Sequence, residues 1–117
     1  MKAEIKAFYS ADVDVATYTP ADTANDGVWV RMICGPHGQP GEESFDVLVC
    51  TPAWLSRKAT TEGQFIGRHL LIQNRFDLSA AESYLAQLVS SMPDGNWHDL
   101  ASKIARIGKW EFEDYQP

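Results

Sequence analysis

The chain has 117 residues, within the ~100–200 residues of a typical domain, so residues 1–117 are read as one domain and a two-domain enzyme is excluded. At 44% hydrophobic and 22% charged residues it is neither a disordered tail nor a fibrous repeat, and it is long enough to bury a core without metal or disulfide staples. Ten Lys and Arg against sixteen Asp and Glu leave a net charge of −6; this argues against nucleic acid as a partner, because a binder of the phosphate backbone needs a basic face to displace counterions.

Ala3, Ile5 and Ala7 alternate with Lys2, Glu4 and Lys6, which predicts a first strand over 2–9 with one face buried. Residues 10–27 are rich in Asp, Thr and Ala, contain Pro20 and end in Asp26 and Gly27, the composition of a long surface connection. β-branched and aromatic residues return over 28–34, with Trp29, Arg31 and Ile33 on one face and Val28, Val30 and Met32 on the other. The Gly- and Pro-rich stretch 35–43 is then a turn.

A third strand over 44–50 is nearly all apolar and belongs at the centre of the sheet. Thr51 is suited to cap a helix whose first residue is Pro52, predicted to run to about Lys58. A fourth strand is expected over 69–74, antiparallel like the others. Ser79 and Glu82 have the spacing of a capping box and would open a helix over 79–92 that carries Tyr84, Leu85, Leu88, Val89 and Met92 on one stripe. Asn96 caps a second helix over 97–107, with Trp97, Leu100, Ala101 and Ile104 at helical steps and Gly108 at its end. Strands early and helices late define an α+β fold: a mainly antiparallel sheet of four to five strands with two C-terminal helices packed on one face. Leu85, Leu88, Leu100 and Ile104 are expected in the core. Trp110 and Phe112, alternating with Glu111 and Glu113, read as an edge strand with aromatics inward.

Cys34 and Cys50 lie inside apolar runs and read as small buried hydrophobes. The first residues lack the apolar core of a signal peptide and no apolar run reaches the ~18 residues of a membrane span, so a cytoplasmic location and no membrane partner are expected. Cys34 and His37 are three residues apart, but a structural zinc site needs four ligands and Cys50 is the only other thiol, so no metal is expected on Cys34, His37 or Cys50. His69 and His98 have no acid or second His at a catalytic spacing. No phosphate-cradling glycine loop or nucleophile elbow is present, and no cofactor and no catalytic residue are assigned.

The acids instead fall into three groups: Asp12, Asp14, Asp22 and Asp26 in the long connection, Glu42 and Glu43 in the turn, and Glu111, Glu113 and Asp114 at the end. Each group reads either as a well-solvated surface or as an acidic patch for a basic partner. The four tryptophans, Trp29, Trp54, Trp97 and Trp110, are expected as core pillars.

Four stretches occur in an order that resembles a known family: MKAEIK at 1–6, GEESFDVLVCTPAWL at 41–55, GRHLLI at 67–72 and RIGKWEFEDY at 106–115. Together they resemble the immunity protein 8 family of bacterial polymorphic toxin and contact-dependent inhibition systems. The resemblance implies a small cytoplasmic protein, not an enzyme, that binds and neutralises the toxin domain of a secreted effector. The acidity adds the expectation that this toxin is a basic nuclease, met by the nine acids named above. The competing reading is a small metabolic enzyme or small-molecule binding module on the same α+β frame.

Overall fold

The computed structural model describes residues 1–112. Its elements are β1 (Ala3–Tyr9), β2 (Gly27–Pro36), β3 (Glu43–Cys50), α1 (Pro52–Glu62), β4 (Leu70–Ile72), α2 (Leu78–Ser90), α3 (Trp97–Ile104) and β5 (Lys109–Trp110). They form an α+β fold around one mostly antiparallel sheet, in the order β1-β2-β3-β4, with β5 also beside β3. β2 pairs antiparallel with the whole of β3, from Gly27 opposite Cys50 to Cys34 opposite Glu43. The opposite edge of β3 is shared: β5 takes Phe45 and Asp46, and β4 takes Leu48 to Cys50. β3 is therefore central, as its continuous apolar run predicts.

β4 runs parallel to β3, which corrects the expected antiparallel pairing. A parallel neighbour needs a crossover of a dozen or more residues, usually helical, and the stretch after Cys50 provides one. Thr51 caps α1, accepting from the Trp54 amide, with Pro52 in the first turn. The helix does not stop near Lys58 but continues one turn further, where Lys58 pairs with Glu62 at 2.6 Å, and Gly63 at φ 83° ends it. α2 likewise starts earlier than its capping-box signal suggests: Asp77, not Ser79, is the N-cap, and its carboxylate accepts from the Ala80 amide at 3.0 Å. Asp outcompetes Ser there because Leu78 is buried and the first turn must begin before it. Asn96 caps α3 as predicted, accepting from the Asp99 amide.

The core lies between one sheet face and the two C-terminal helices. Val28, Val30, Met32 and Cys34 of β2 and Phe45, Val47 and Val49 of β3 meet Leu78, Ala81, Leu85 and Val89 of α2 and Leu100, Ala101 and Ile104 of α3. Three of the four predicted core residues, Leu85, Leu100 and Ile104, are fully enclosed; Leu88 is only half-buried and Tyr84 is 53% exposed. Both lie by β4, in a groove they share with Leu70, Leu71, Ile72 and Ile107, because a three-residue strand is too short to cover that side of α2. The chain passes so close to the sheet at Gly108 that a Cβ there would come within 3.0 Å of Phe45 and Val47.

β1 departs from simple alternation. Its register with β2 shifts between Ile5 and Ala7, a bulge at Lys6 that sends Phe8, rather than Ala7, to the core side. The connection after β1 is also more than a surface loop. Val13, Val15 and Tyr18 pack against the core, the Tyr18 ring meets Phe76 edge-on at 5.9 Å, and the Phe76 amide donates to the Thr23 carbonyl.

None of the tryptophans is a buried pillar. Trp29 is 45% exposed, and Trp54, Trp97 and Trp110 are half-buried. Trp97 and Trp110 pack at the rim of the core, where each indole N–H reaches a polar partner while its ring packs; Trp29 and Trp54 lie on the other face of the sheet.

Candidate functional site

The structure sorts the nine acids by what their carboxylates do. Asp26 accepts from the Tyr18 hydroxyl and from the Gly27 amide at 2.8 Å. This bond to Asp26 pushes the Tyr18 phenol up to about 12. Asp14 and Asp22 each accept from the backbone amide two residues on, Ala16 at 3.0 Å and Ala24 at 2.9 Å, the turn-forming habit of Asp. These three build the long connection itself.

The turn and the chain end, far apart in sequence, come together. Glu43 Oε2 accepts from both Trp97 Nε1 and Trp110 Nε1 at 3.0 Å, tying α3 and β5 to the start of β3. Trp110 stacks on Phe45, with ring centroids 6.1 Å apart. Glu111 Oε1 accepts from the Ser44 amide at 2.9 Å. β5 stops at Trp110, so the expected edge strand with inward aromatics is shortened and Phe112 is 44% exposed. Glu113 and Asp114 lie outside the described residues.

Asp12 and Glu42 remain, both exposed, and no hydrogen bond or ion pair of their carboxylates occurs among the described residues. Asp12 has a defined setting: its backbone amide donates to Ser10 Oγ, whose hydroxyl donates to the Trp29 carbonyl at 2.7 Å. It borders a shallow depression of about 120 Å³ with Tyr9, Trp29, Arg31 and Asp46.

That depression belongs to the second face of the sheet. Strand alternation places Gly27, Trp29, Arg31 and Ile33 opposite the core-facing side chains. α1 covers one end of this face: a Cβ on Gly27 would overlap the Trp54 ring at 2.3 Å, and Leu48 and Cys50 are buried there. Beyond α1 the face is open. Tyr9 and Trp29 are 44% and 45% exposed, and between them Arg31 grips both carboxylate oxygens of Asp46 at 2.7 and 3.1 Å. This contact, and a second with Tyr9, stabilise the guanidinium cation further. The sequence showed which residues share the face; it did not show that the face is left uncovered.

Cys34 and Cys50 are both buried, and burial pushes both thiols up, Cys34 to about 12. Cys34 faces Glu43 across the ladder while Cys50 ends the same strand, roughly 20 Å further on at the rise of a β-strand. His37 binds Glu4 at 2.9 Å, which holds the Glu4 carboxyl below its usual range. Among the described residues no three His, Cys, Asp or Glu side chains converge as a metal site would require, and no helix is long and apolar enough to cross a membrane.

A small α+β fold whose described acids mostly hold its own loops together, with one sheet face open, has the build of a protein that acts by binding another. The immunity protein 8 family matches residues 3–115, nearly the whole chain, and the protein belongs to that family. It is thus an immunity protein, the class that binds and counters polymorphic toxins, which points away from enzymatic activity. No curated protein and no solved structure matches the chain.

Proposed function

We propose that the chain acts in the cytoplasm as the inhibitor of one cognate toxin domain, a nuclease, and that it inhibits by occluding the surface that engages the nucleic acid. The match to an immunity family over 3–115 carries this reading. The net charge of −6 supports the choice of a nuclease, since a protein that grips phosphate is basic where it does so. Among the described residues the carboxylates of Asp12 and Glu42 have no partner, which leaves these two of the described acids best placed to attract such a surface. Asp26 and Glu43 are committed to internal hydrogen bonds and serve the fold.

Occlusion of this kind uses a standard interface of about 1,600 Å² in total, and complementary charge raises encounter toward ~10⁸ M⁻¹s⁻¹ at low salt. Speed matters to an inhibitor that must reach a nuclease before its substrate does. The decisive experiment is co-purification with the toxin domain encoded beside it, followed by a nuclease assay of the complex. A stable complex with suppressed nucleic-acid cleavage is expected; a toxin of another activity would remove the nuclease assignment, and failure to bind would remove the inhibitor reading.

A further inference from the structure

We propose that the open face of the sheet, centred on Trp29 and Tyr9, is where the toxin domain docks, and that the depression between these rings and the carboxylates of Asp12 and Asp46 receives a Lys or Arg side chain of the toxin. The proposal rests on the inhibitor reading above and locates its contact surface.

The two aromatic rings are the first ground. Trp, Tyr and Arg are the residue types that dominate binding energy at protein interfaces, and here one of each stands in a row across neighbouring strands, Tyr9 opposite Arg31 in the β1–β2 register and Trp29 two residues earlier on β2. Each of these two residues is nearly half exposed, although apolar side chains fill the other face of the same strands. Trp54 of α1 lies over Gly27 at one end of this face, and Leu48, opposite Trp29 in the β2–β3 register, is already buried, so the exposed parts of the two rings are surplus to the burial this face achieves.

Rigidity is the second ground. Arg31 is fixed by two hydrogen bonds to Asp46, and Asp12 is held near Trp29 through Ser10. Strands also carry the rings more rigidly than a loop would, so little side-chain freedom remains to be lost on docking.

Charge selects the occupant. Arg31 and Asp46 cancel, leaving Asp12 as the uncompensated charge bordering the depression. Its lining joins the Tyr9 and Trp29 rings, the neutralised Arg31–Asp46 pair and the Asp12 carboxylate, which favours a cation: the rings attract it through their quadrupoles and Asp12 through a charge-assisted hydrogen bond. A volume of about 120 Å³ suits one side-chain head rather than a free ligand. The groove beside β4 is also apolar, lined by Ile72 and Tyr84, but no acid lines it, so a basic surface finds no complement there.

The test measures binding of the wild-type chain and of four single variants to the neighbouring toxin domain by a kinetic method across a salt series. Trp29→Ala and Tyr9→Ala are expected to weaken affinity about 30-fold or more each, mainly through faster dissociation. Asp12→Asn should slow association a few-fold at low salt and flatten its salt dependence. Tyr84→Ala, at the β4 groove, should bind within twofold of wild type. A toxin domain that ignores the wild-type chain overturns the inhibitor reading and this proposal with it. One that binds wild type but is held equally by Trp29→Ala and Tyr9→Ala overturns the docking face alone, and loss of binding in Tyr84→Ala instead would move the contact to the β4 groove. Thermal melts of each variant separate lost contact from lost fold; should Trp29→Ala melt early, Tyr9→Ala and Asp12→Asn still decide.

Discussion

The two faces of the sheet come from the same strands and differ in nearly every respect. On the inner face, Val30, Met32, Phe45 and Val47 are at most 2% exposed beneath α2 and α3. On the outer face, Trp29 and Arg31 alternate with Val30 and Met32 along β2 and, with Tyr9 of β1, are partly exposed beyond the reach of α1. The difference teaches that residue type alone did not decide burial: Trp29 is the largest apolar side chain on β2 and is left out, while Cys34 on the same strand is fully enclosed. The helices decide: two pack on the inner face, and among the described residues α1 alone lies on the outer face, at one end of it.

Cutting into the inner face should have the largest effect. Leu100→Ala or Leu85→Ala removes a side chain enclosed on all sides, and a loss of ~2–5 kcal/mol is expected, read from the urea midpoint. Trp29→Ala on the outer face should shift the same midpoint by no more than ~0.5–1 kcal/mol. If the two substitutions cost the same, the faces are not energetically distinct and the comparison breaks.

A second measurement sharpens the boundary between them. Glu43→Ala leaves two half-buried indole N–H groups without their acceptor, so a loss of about 2 kcal/mol is expected, with a change in tryptophan fluorescence from Trp97 and Trp110. Glu42→Ala, one residue away and unengaged, should leave both signals unchanged. Gly108→Ala tests the tight approach of the chain to the inner face and should cost ~1–3 kcal/mol through overpacking; unchanged stability would mean that β5 can move aside.

The smallest effect concerns pH. Tyr18 ionises at about 12 in the folded protein against ~10 in an unfolded chain. The fold therefore favours the protonated phenol. Its contribution is complete below pH ~10 and is lost as pH rises through 12. Spectrophotometric titration should show a tyrosine step near pH 12, and Tyr18→Phe should abolish that step. If that late step is missing from the wild-type curve, or Tyr18→Phe leaves it in place, the Tyr18–Asp26 bond does not persist in solution.

Much of the architecture follows from local rules written in the sequence. The alternation over 28–34, the apolar run of β3, Thr51 with Pro52, and Asn96 with Trp97 and Leu100 each mark their element because strand faces, buried strands and helix starts obey short-range sterics and hydrogen bonding. The family, too, was legible in four stretches of residues. Tertiary structure decided the rest. The parallel placement of β4 depends on α1 crossing the sheet. The bulge at Lys6 depends on which residue of β1 meets Cys34 and Ile33. Glu43 and Glu111 share one site only because β5 returns to the start of β3, and no local pattern encodes a contact across that distance. The same holds for the open face: spacing puts Trp29 and Arg31 together, but Tyr9 joins them only because the bulge at Lys6 reverses the alternation of β1, and whether a face meets helix or water is fixed by where the remaining chain packs.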